Sequence, residues 1–396
     1  MDKNKALLIY AGALGDFIWL VPTIKTLSKK FESLSLLVSE RQKDLAESLA
    51  NKGLDNLVNI FVDYRPPERV WNWFRVRKKA KEADIGTYID FVGRGKTAMY
   101  IPSWPGSEIY ILPRHDTRKE HWMVNALHPL SKSMQWDVSG HMVDSYLSVL
   151  PYFGVDGFKI NFDLNYDQET IDKAENLIKK DNLREADSVV LNIGASRFSK
   201  IWPSERFRIL AFQLEKKLGL NVAIMGADKF RWNDNYEKQI LENNLLYKNF
   251  TGPKLLESLM VNSYILSSRV FNVSVGNDSF ANHMAGSANE VPKDTEGAVM
   301  AKNGKYAGRY FKAPTRTVTL MGPTNPMYCS VWDPTETFHE VIRPEDYRIL
   351  NGRCLDDWCS YDGTAHKCPN YNKVRWDPTA PCMKSIEVEQ LSLIHI

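Results

Sequence analysis

The sequence is poor in cysteine, has no long apolar run and carries almost no net charge, and each shortage removes a class of protein. Five cysteines in 396 residues are too few for a disulfide framework and suit a reducing compartment. Nowhere do about twenty apolar residues run uninterrupted, so no membrane-spanning helix is predicted. The short apolar stretch at the N-terminus is broken by Gly15 and Asp16 and lacks a small-residue cleavage site, so the expected location is cytoplasmic. With 51 basic and 48 acidic residues the formal charge is +3; whole-chain electrostatics does not call for nucleic acid, and any basic site is local. No repeat at a solenoid period is present. The turn Gly12 to Gly15 lacks the three-glycine dinucleotide fingerprint and its acidic ribose partner, which argues against a dehydrogenase.

What is present is an alternation of buried strands and helices. Ala6 to Tyr10, Leu34 to Val38, Leu57 to Phe61, Ile85 to Phe91 and Glu108 to Leu112 read as strands, a rhythm that predicts a parallel sheet with crossover helices. Periodicity fades over Pro151 to Asp167, where the interdomain linker is expected. A second alternation follows: a helix over Gln168 to Lys180, a strand over Ser188 to Ile193, a helix over Glu205 to Leu218, then strands over Asn221 to Met225 and Val270 to Val275, closing at Val318 to Met321. A chain of this length predicts two domains, here two α/β domains. Asn289 to Pro314 interrupts the second as a long mobile loop. From Asp333 onward the tail has little periodicity until Ile386 to Leu391, and Ser392 to Ile396 reads as a cloning remnant rather than native protein.

Four segments carry chemistry. Tyr10 to Phe17 joins a strand to a helix through a Gly-flanked turn that exposes Asp16, which is either a catalytic base or a helix cap; on these residues alone capping is favoured. In Leu191 to Pro203, Gly194 permits close backbone approach, Ser196 can donate to a phosphate oxygen and Lys200 supplies a point charge against a diphosphate, the alternative being a solvated lysine before a helix. In Val275 to Ala285, Gly276, Asp278, Ser279 and His283 follow a strand and open a helix, a place where free N–H groups meet an anion, though capping and core packing explain the same residues. Leu320 to Pro326 ends a strand in a rigid turn where Thr324 reaches a phosphate or simply follows a Gly-Pro turn.

Together, Gly12 to Asp16 with Pro22, Ile89 to Phe91 leading to Arg94 and Lys96, His141 to Leu147, Gly194 to Pro203, Gly276 to His283 and Gly322 to Pro326 resemble glycosyltransferase family 9, the bacterial heptosyltransferase family of lipopolysaccharide synthesis. The resemblance implies a GT-B fold, α/β, with two Rossmann-like domains facing a central cleft: residues 1–160 for the acceptor, 161–335 for the nucleotide sugar, and a Cys-containing tail over 336–391. It implies an inverting transfer that needs no metal ion or other cofactor, in keeping with the lack of an Asp-x-Asp pair. By position, Asp16 would be the general base and Lys200 would offset charge on the leaving diphosphate. Gly194, Ser196, Gly276, Asp278, Ser279, His283 and Thr324 would hold the donor, most often ADP-heptose in the family, and Gly15, Arg94 and Lys96 the acceptor, a saccharide or lipid-linked saccharide.

The chain departs from the family pattern at Phe280, where a small residue is usual, and at the Asn289 to Pro314 insertion. Both lie beside the expected donor site. Cys354, Cys359, Cys368 and Cys382 crowd the tail, but their spacing lacks the paired knuckles of common zinc sites, leaving zinc the lesser reading. Arg69 to Lys81 interleaves aromatic and basic residues: a peripheral contact with the anionic inner-membrane surface or with the phosphates of a lipid-linked saccharide, or else an ordinary amphipathic helix with lysines in water and tryptophans in the core. The competing functions are a GT-B nucleotide-sugar epimerase and a non-catalytic nucleotide-sugar-binding protein of polysaccharide assembly.

Overall fold

Ala6, Leu7, Leu8, Ile9 and Tyr10 are wholly buried, which a strand achieves only when both faces of its sheet are covered. The computed structural model describes residues 1–50, 54, 56–63, 69–92, 95–102, 104–112, 126–135, 140–184, 187–195, 200–226, 250, 252–255, 257–312, 315–321, 330–343, 383 and 386–392. The chain divides into two units, Met1–Asp167 and Gln168–Ile396.

In the first unit, β1 (Asp2–Tyr10), α1 (Leu14–Lys30), β2 (Ser33–Ser39), α2 (Lys43–Ala50), β3 (Leu57–Asp63), α3 (Arg69–Glu82), β4 (Ile85–Asp90), α4 (Gly95–Ala98), β5 (Glu108–Ile111), β6 (Lys132–Ser133) and α5 (Met142–Leu147) follow one another. The sheet order is β3-β2-β1-β4-β5-β6, with every pair parallel. The order reverses between β1 and β4, and such reversals open a crevice at the carboxyl ends of the strands. Every residue of α1 from Phe17 to Ile24 is buried, as are Leu27 and Ser28, so this helix is covered nearly all round. Tyr10 meets Phe17 at 6.3 Å and Tyr146 of α5 edge-on at 6.1 Å between ring centroids. On α3, Trp73 packs edge-on against Tyr100 at 6.2 Å, whereas Trp71 is exposed, so only one of the two tryptophans joins the core.

The second unit runs α6 (Gln168–Lys180), β7 (Ser188–Asn192), α7 (Ser204–Leu218), β8 (Asn221–Met225), β9 (Lys254–Leu255), α8 (Leu259–Ser267), β10 (Val273–Asn277), α9 (Phe280–Gly286), then three short strands β11 (Asn289–Glu290), β12 (Val299–Met300) and β13 (Tyr310–Lys312), then β14 (Arg316–Leu320), β15 (His339–Ile342) and α10 (Glu389–Ser392). Its main sheet is ordered β15-β14-β10-β7-β8-β9 and is also parallel throughout. Counted from its own first strand, this is the order of the first unit, with the reversal between β7 and β10.

Three expectations are corrected here. The sheet does not close at Val318 to Met321, because β15 adds an edge strand beside β14. The end of the tail is not apart from the fold: Met383, Ile386, Val388 and Leu391 are buried in the core of the second unit, and the Trp202 indole donates to the Ile386 carbonyl at 2.9 Å. The segment expected as a mobile loop over Asn289 to Pro314 forms a small antiparallel sheet ordered β11-β13-β12. Its strands are too short to show an alternation in sequence. They are held by Tyr306, Phe311 and Trp332, all buried, whose rings meet edge-on at 6.0, 5.3 and 5.5 Å. Arg309 adds a second tie, its Nε donating to Glu290 at 2.8 Å while its guanidinium lies 5.3 Å from the Tyr306 ring centroid.

Truncating a wholly buried aromatic leaves a cavity, so Phe311→Ala is expected to lower stability by about 3–5 kcal/mol in urea unfolding. A loop residue would change it by less than about 0.5 kcal/mol.

Candidate active site

Each unit presents its functional side chains at the carboxyl edge of its sheet. In the first, the backbone leaves β1 at Tyr10 and enters α1 at Leu14. Gly12 is required there by close approach: a Cβ would lie 2.2 Å from the Tyr10 hydroxyl. The N-cap is Ala13, which makes no side-chain cap bond, and Asp16 is the acid of the first turn. Asp16 stands inside the first turn, half-buried, in the field of the helix N-terminus. Gly15 precedes it in the same turn.

Gln42, which the sequence reading passed over, fixes this turn. Wholly buried, its amide donates to the carbonyls of Gly12 at 3.1 Å and Ala13 at 3.0 Å, while its oxygen accepts from the Ser39 backbone at 2.9 Å. The pattern Ser39-x-x-Gln42 is a capping box and was the available signal. At the end of β4, Asp90 is buried and accepts from the Val92 backbone at 2.8 Å and the Thr97 hydroxyl at 2.9 Å. Arg94 lies outside the described residues, and for Lys96 only the backbone, in α4, is described. His141 caps α5, its Nδ1 accepting from the Val143 backbone at 3.1 Å.

In the second unit the structure brings Lys200, Asp278 and His283 together. Asp278 follows β10 and is buried, as is His283 on α9. One Asp278 oxygen pairs with the Lys200 ammonium, and the other lies 3.3 Å from His283 Nε2. Burial by itself would raise the Asp278 carboxyl, but the Lys200 charge and the His283 hydrogen bond outweigh it and hold the group well below the ordinary carboxylate range. Lys200 is delivered by Asn277, another residue not singled out in sequence: its amide donates to the Ile193 carbonyl at 2.9 Å and its oxygen accepts from the Trp202 backbone at 2.9 Å. Nearby, Asn282 donates to the Gly276 carbonyl at 3.1 Å and the Thr319 hydroxyl at 3.0 Å, and Asn192 donates to Asn282 at 2.8 Å. These asparagines bond α9 to β7, β10 and β14 within the core.

Gly276 lies within β10, where a Cβ would come 2.5 Å from the Asn192 carbonyl oxygen; its lack of a side chain serves strand contact. Gly194 follows β7, half-buried, and Ser279 is the N-cap of α9 without a side-chain cap bond. Ser196 and Thr324 lie outside the described residues, as do Cys354, Cys359, Cys368 and Cys382. Among the described residues no group of three or more His, Cys, Asp or Glu side chains is placed to hold a metal ion, and no helix is long and apolar enough to cross a membrane. His339 on β15 shares a hydrogen bond of 2.8 Å with Thr317. Burial, with the nearby His283 adding to it, pushes its imidazole down to about 4.

Residues 109–291 match glycosyltransferase family 9 (heptosyltransferase). Over that stretch, somewhat less than half of the chain, the sequence is similar to the family, which supports a glycosyltransferase. The match spans Lys200, Asp278 and His283 and leaves Asp16 outside. No curated protein matches the chain in sequence. In fold, it is similar to a glycosyl transferase of family 9 from Veillonella parvula, with TM-score 0.61 at 17% identity over 98% of this chain and 95% of the other. It is also similar to the E. coli ADP-heptose lps heptosyltransferase II, TM-score 0.57 at 16% identity, covering 86% of this chain and 90% of the other. E. coli heptosyltransferase WaaC with ADP-2-deoxy-2-fluoro heptose gives 0.52 at 15%, covering 87% and 94%. At such identities the likeness is one of fold, the mixed α/β GT-B type with parallel Rossmann-like sheets.

Two acid-stability effects follow with opposite partners. Between its ordinary 6.5 and about 4, His339 stays neutral in the fold while the unfolded chain takes up a proton, so stability falls as pH is lowered through that range. His339→Gln is expected to flatten this part of the melting-temperature profile. Asp278 is depressed from its ordinary 3.8, so its contribution is present above that value and lost below it. Asp278→Asn is expected to cost about 3 kcal/mol near neutrality by leaving Lys200 without its buried counter-charge, with the deficit from wild type narrowing below about pH 4.

Proposed function

We propose that this glycosyltransferase is inverting and metal-independent, and that it transfers heptose from ADP-heptose to a lipopolysaccharide-core or related surface-saccharide acceptor. The observation that carries the reading is the Lys200–Asp278–His283 cluster at the β7/β10 reversal, the place where an open α/β sheet receives a nucleotide. The donor is suggested by the E. coli relatives of like fold, one named for ADP-heptose and one bound to a fluorinated analogue of it.

In this reading the acceptor hydroxyl attacks the anomeric carbon from the face opposite the diphosphate. The carbon–oxygen bond to the diphosphate breaks with its electron pair passing to the leaving oxygen, and Asp16 takes the hydroxyl proton. Lys200 balances the charge that develops on the diphosphate, with Gly194, Ser196, Ser279 and Thr324 around the nucleotide sugar and Gly15, Arg94 and Lys96 on the acceptor side. Both Asp278 oxygens are engaged, which gives Asp278 and His283 a part in orienting Lys200 beside any contact with the donor.

Asp16→Asn is expected to reduce turnover about 10²- to 10⁴-fold while ADP raises the melting temperature of wild type and variant alike. Unchanged turnover would remove Asp16 from the base role. A melting-temperature rise with UDP-linked but not ADP-linked sugars would overturn the choice of donor.

A further inference from the structure

We propose that the exposed face of α3 docks the protein on an anionic lipid surface, with Trp71 and Phe74 entering the headgroup layer and the cations of the same helix meeting lipid phosphates. The roll of α3 is fixed by the opposite face, where Asn72, Val76 and Ala80 follow one another at four-residue spacing and are 3%, 2% and 0% exposed. The Asn72 amide is bonded to the Val62 carbonyl at the end of β3. With that stripe held inward, Trp71 is left 78% and Phe74 63% exposed, their ring centroids 6.5 Å apart.

A solvated helix accounts for outward lysines, and a single exposed apolar residue needs no explanation. It does not account for two large aromatic rings side by side on a helix anchored behind them. The charge on the same element selects the partner. The sequence RVWNWFRVRKKAKE holds six Lys and Arg against one Glu, and that Glu82 is 3.9 Å from Lys78 with both side chains mostly in water. Arg75 and Lys78 continue the exposed stripe begun by Trp71 and Phe74. Aromatic rings seated at the acyl boundary beneath a row of cations are the composition of an interfacial helix on phosphate-bearing lipid.

The placement fits as well. In a parallel sheet every crossover helix starts at the carboxyl edge, so the first turn of α3, with Trp71, lies at the edge where α1 begins and Asp16 stands. The docking needs only α3; its use, presenting a lipid-borne acceptor to Asp16, rests on the reading in the preceding section.

The full chain is sedimented with vesicles of phosphatidylcholine alone and of phosphatidylcholine mixed with phosphatidylglycerol, at low and high salt. Wild type is expected on the anionic vesicles, released by salt, and not on the neutral ones. Trp71→Ser/Phe74→Ser is expected to lower the bound fraction about tenfold, and Lys78→Gln/Lys79→Gln to weaken binding mainly at low salt. These positions are exposed, so each variant keeps the wild-type melting temperature and its shift with ADP. Turnover on a lipid-free saccharide acceptor is expected unchanged in the aromatic variant, with loss confined to acceptor carried on vesicles. Failure of wild type to bind anionic vesicles, equal binding to neutral ones, or undiminished binding by the aromatic variant would overturn the proposal. Absence of any sugar transfer would count against the enzyme reading and leave the vesicle result standing.

Discussion

A carboxylate that water does not reach has to be neutralised from within the protein, and around Asp278 that requirement sets the positions of its neighbours. Lys200 must arrive from the segment after β7 and His283 from α9, so the ends of β7 and β10 have to lie side by side. Gly276 permits that approach, and Asn277 fastens the Lys200 segment to the strand end. Removing Lys200 would leave an unbalanced charge in a medium that tolerates it poorly.

The two units solve the same topological problem with different chemistry. Both place the reversal of strand order beside their first strand, and both need a rigid exit from it. In the first unit the exit is held by neutral bonds from Gln42 and by the packing of Tyr10 over Gly12, which leaves Asp16 half-buried within its helix. In the second the exit is ionic, and the acid is consumed in holding a lysine. A half-buried carboxylate is suited to proton transfer, whereas one locked between a lysine and a histidine suits fixing a charge in place. The two acids differ in their surroundings, not in their position at similar turns.

How much of this could be read in the sequence depended on how local the cause was. Runs such as Ala6 to Tyr10 and Ser188 to Ile193 are apolar because both sheet faces are covered, and they were legible as strands. The four glycine-bearing segments were legible as strand exits for the same reason. β15 was missed because His339-Glu340-Val341-Ile342 is an edge strand without a buried run. The segment over Met383 to Leu391 looked like tail because its burial depends on Trp202 and α7, some 180 residues away in sequence. Asp278 read rather as a cap because no sequence pattern reports that a side chain is sealed from water. Asn277 and Gln42 were invisible as positioning residues because their partners are backbone carbonyls, which have no signature of their own.

The small sheet of β11, β12 and β13 enters and leaves the fold at one place, since Asn289 at its start is paired with Lys312 at its end. The chain between α9 and β14 is thus a closed excursion whose two ends are tied together before β14 begins. Its length and internal sequence are decoupled from the register of β14 on β10, which is set by pairs from Val273↔Arg316 to Asn277↔Leu320. Such a module can change in length without moving a strand of the parent sheet.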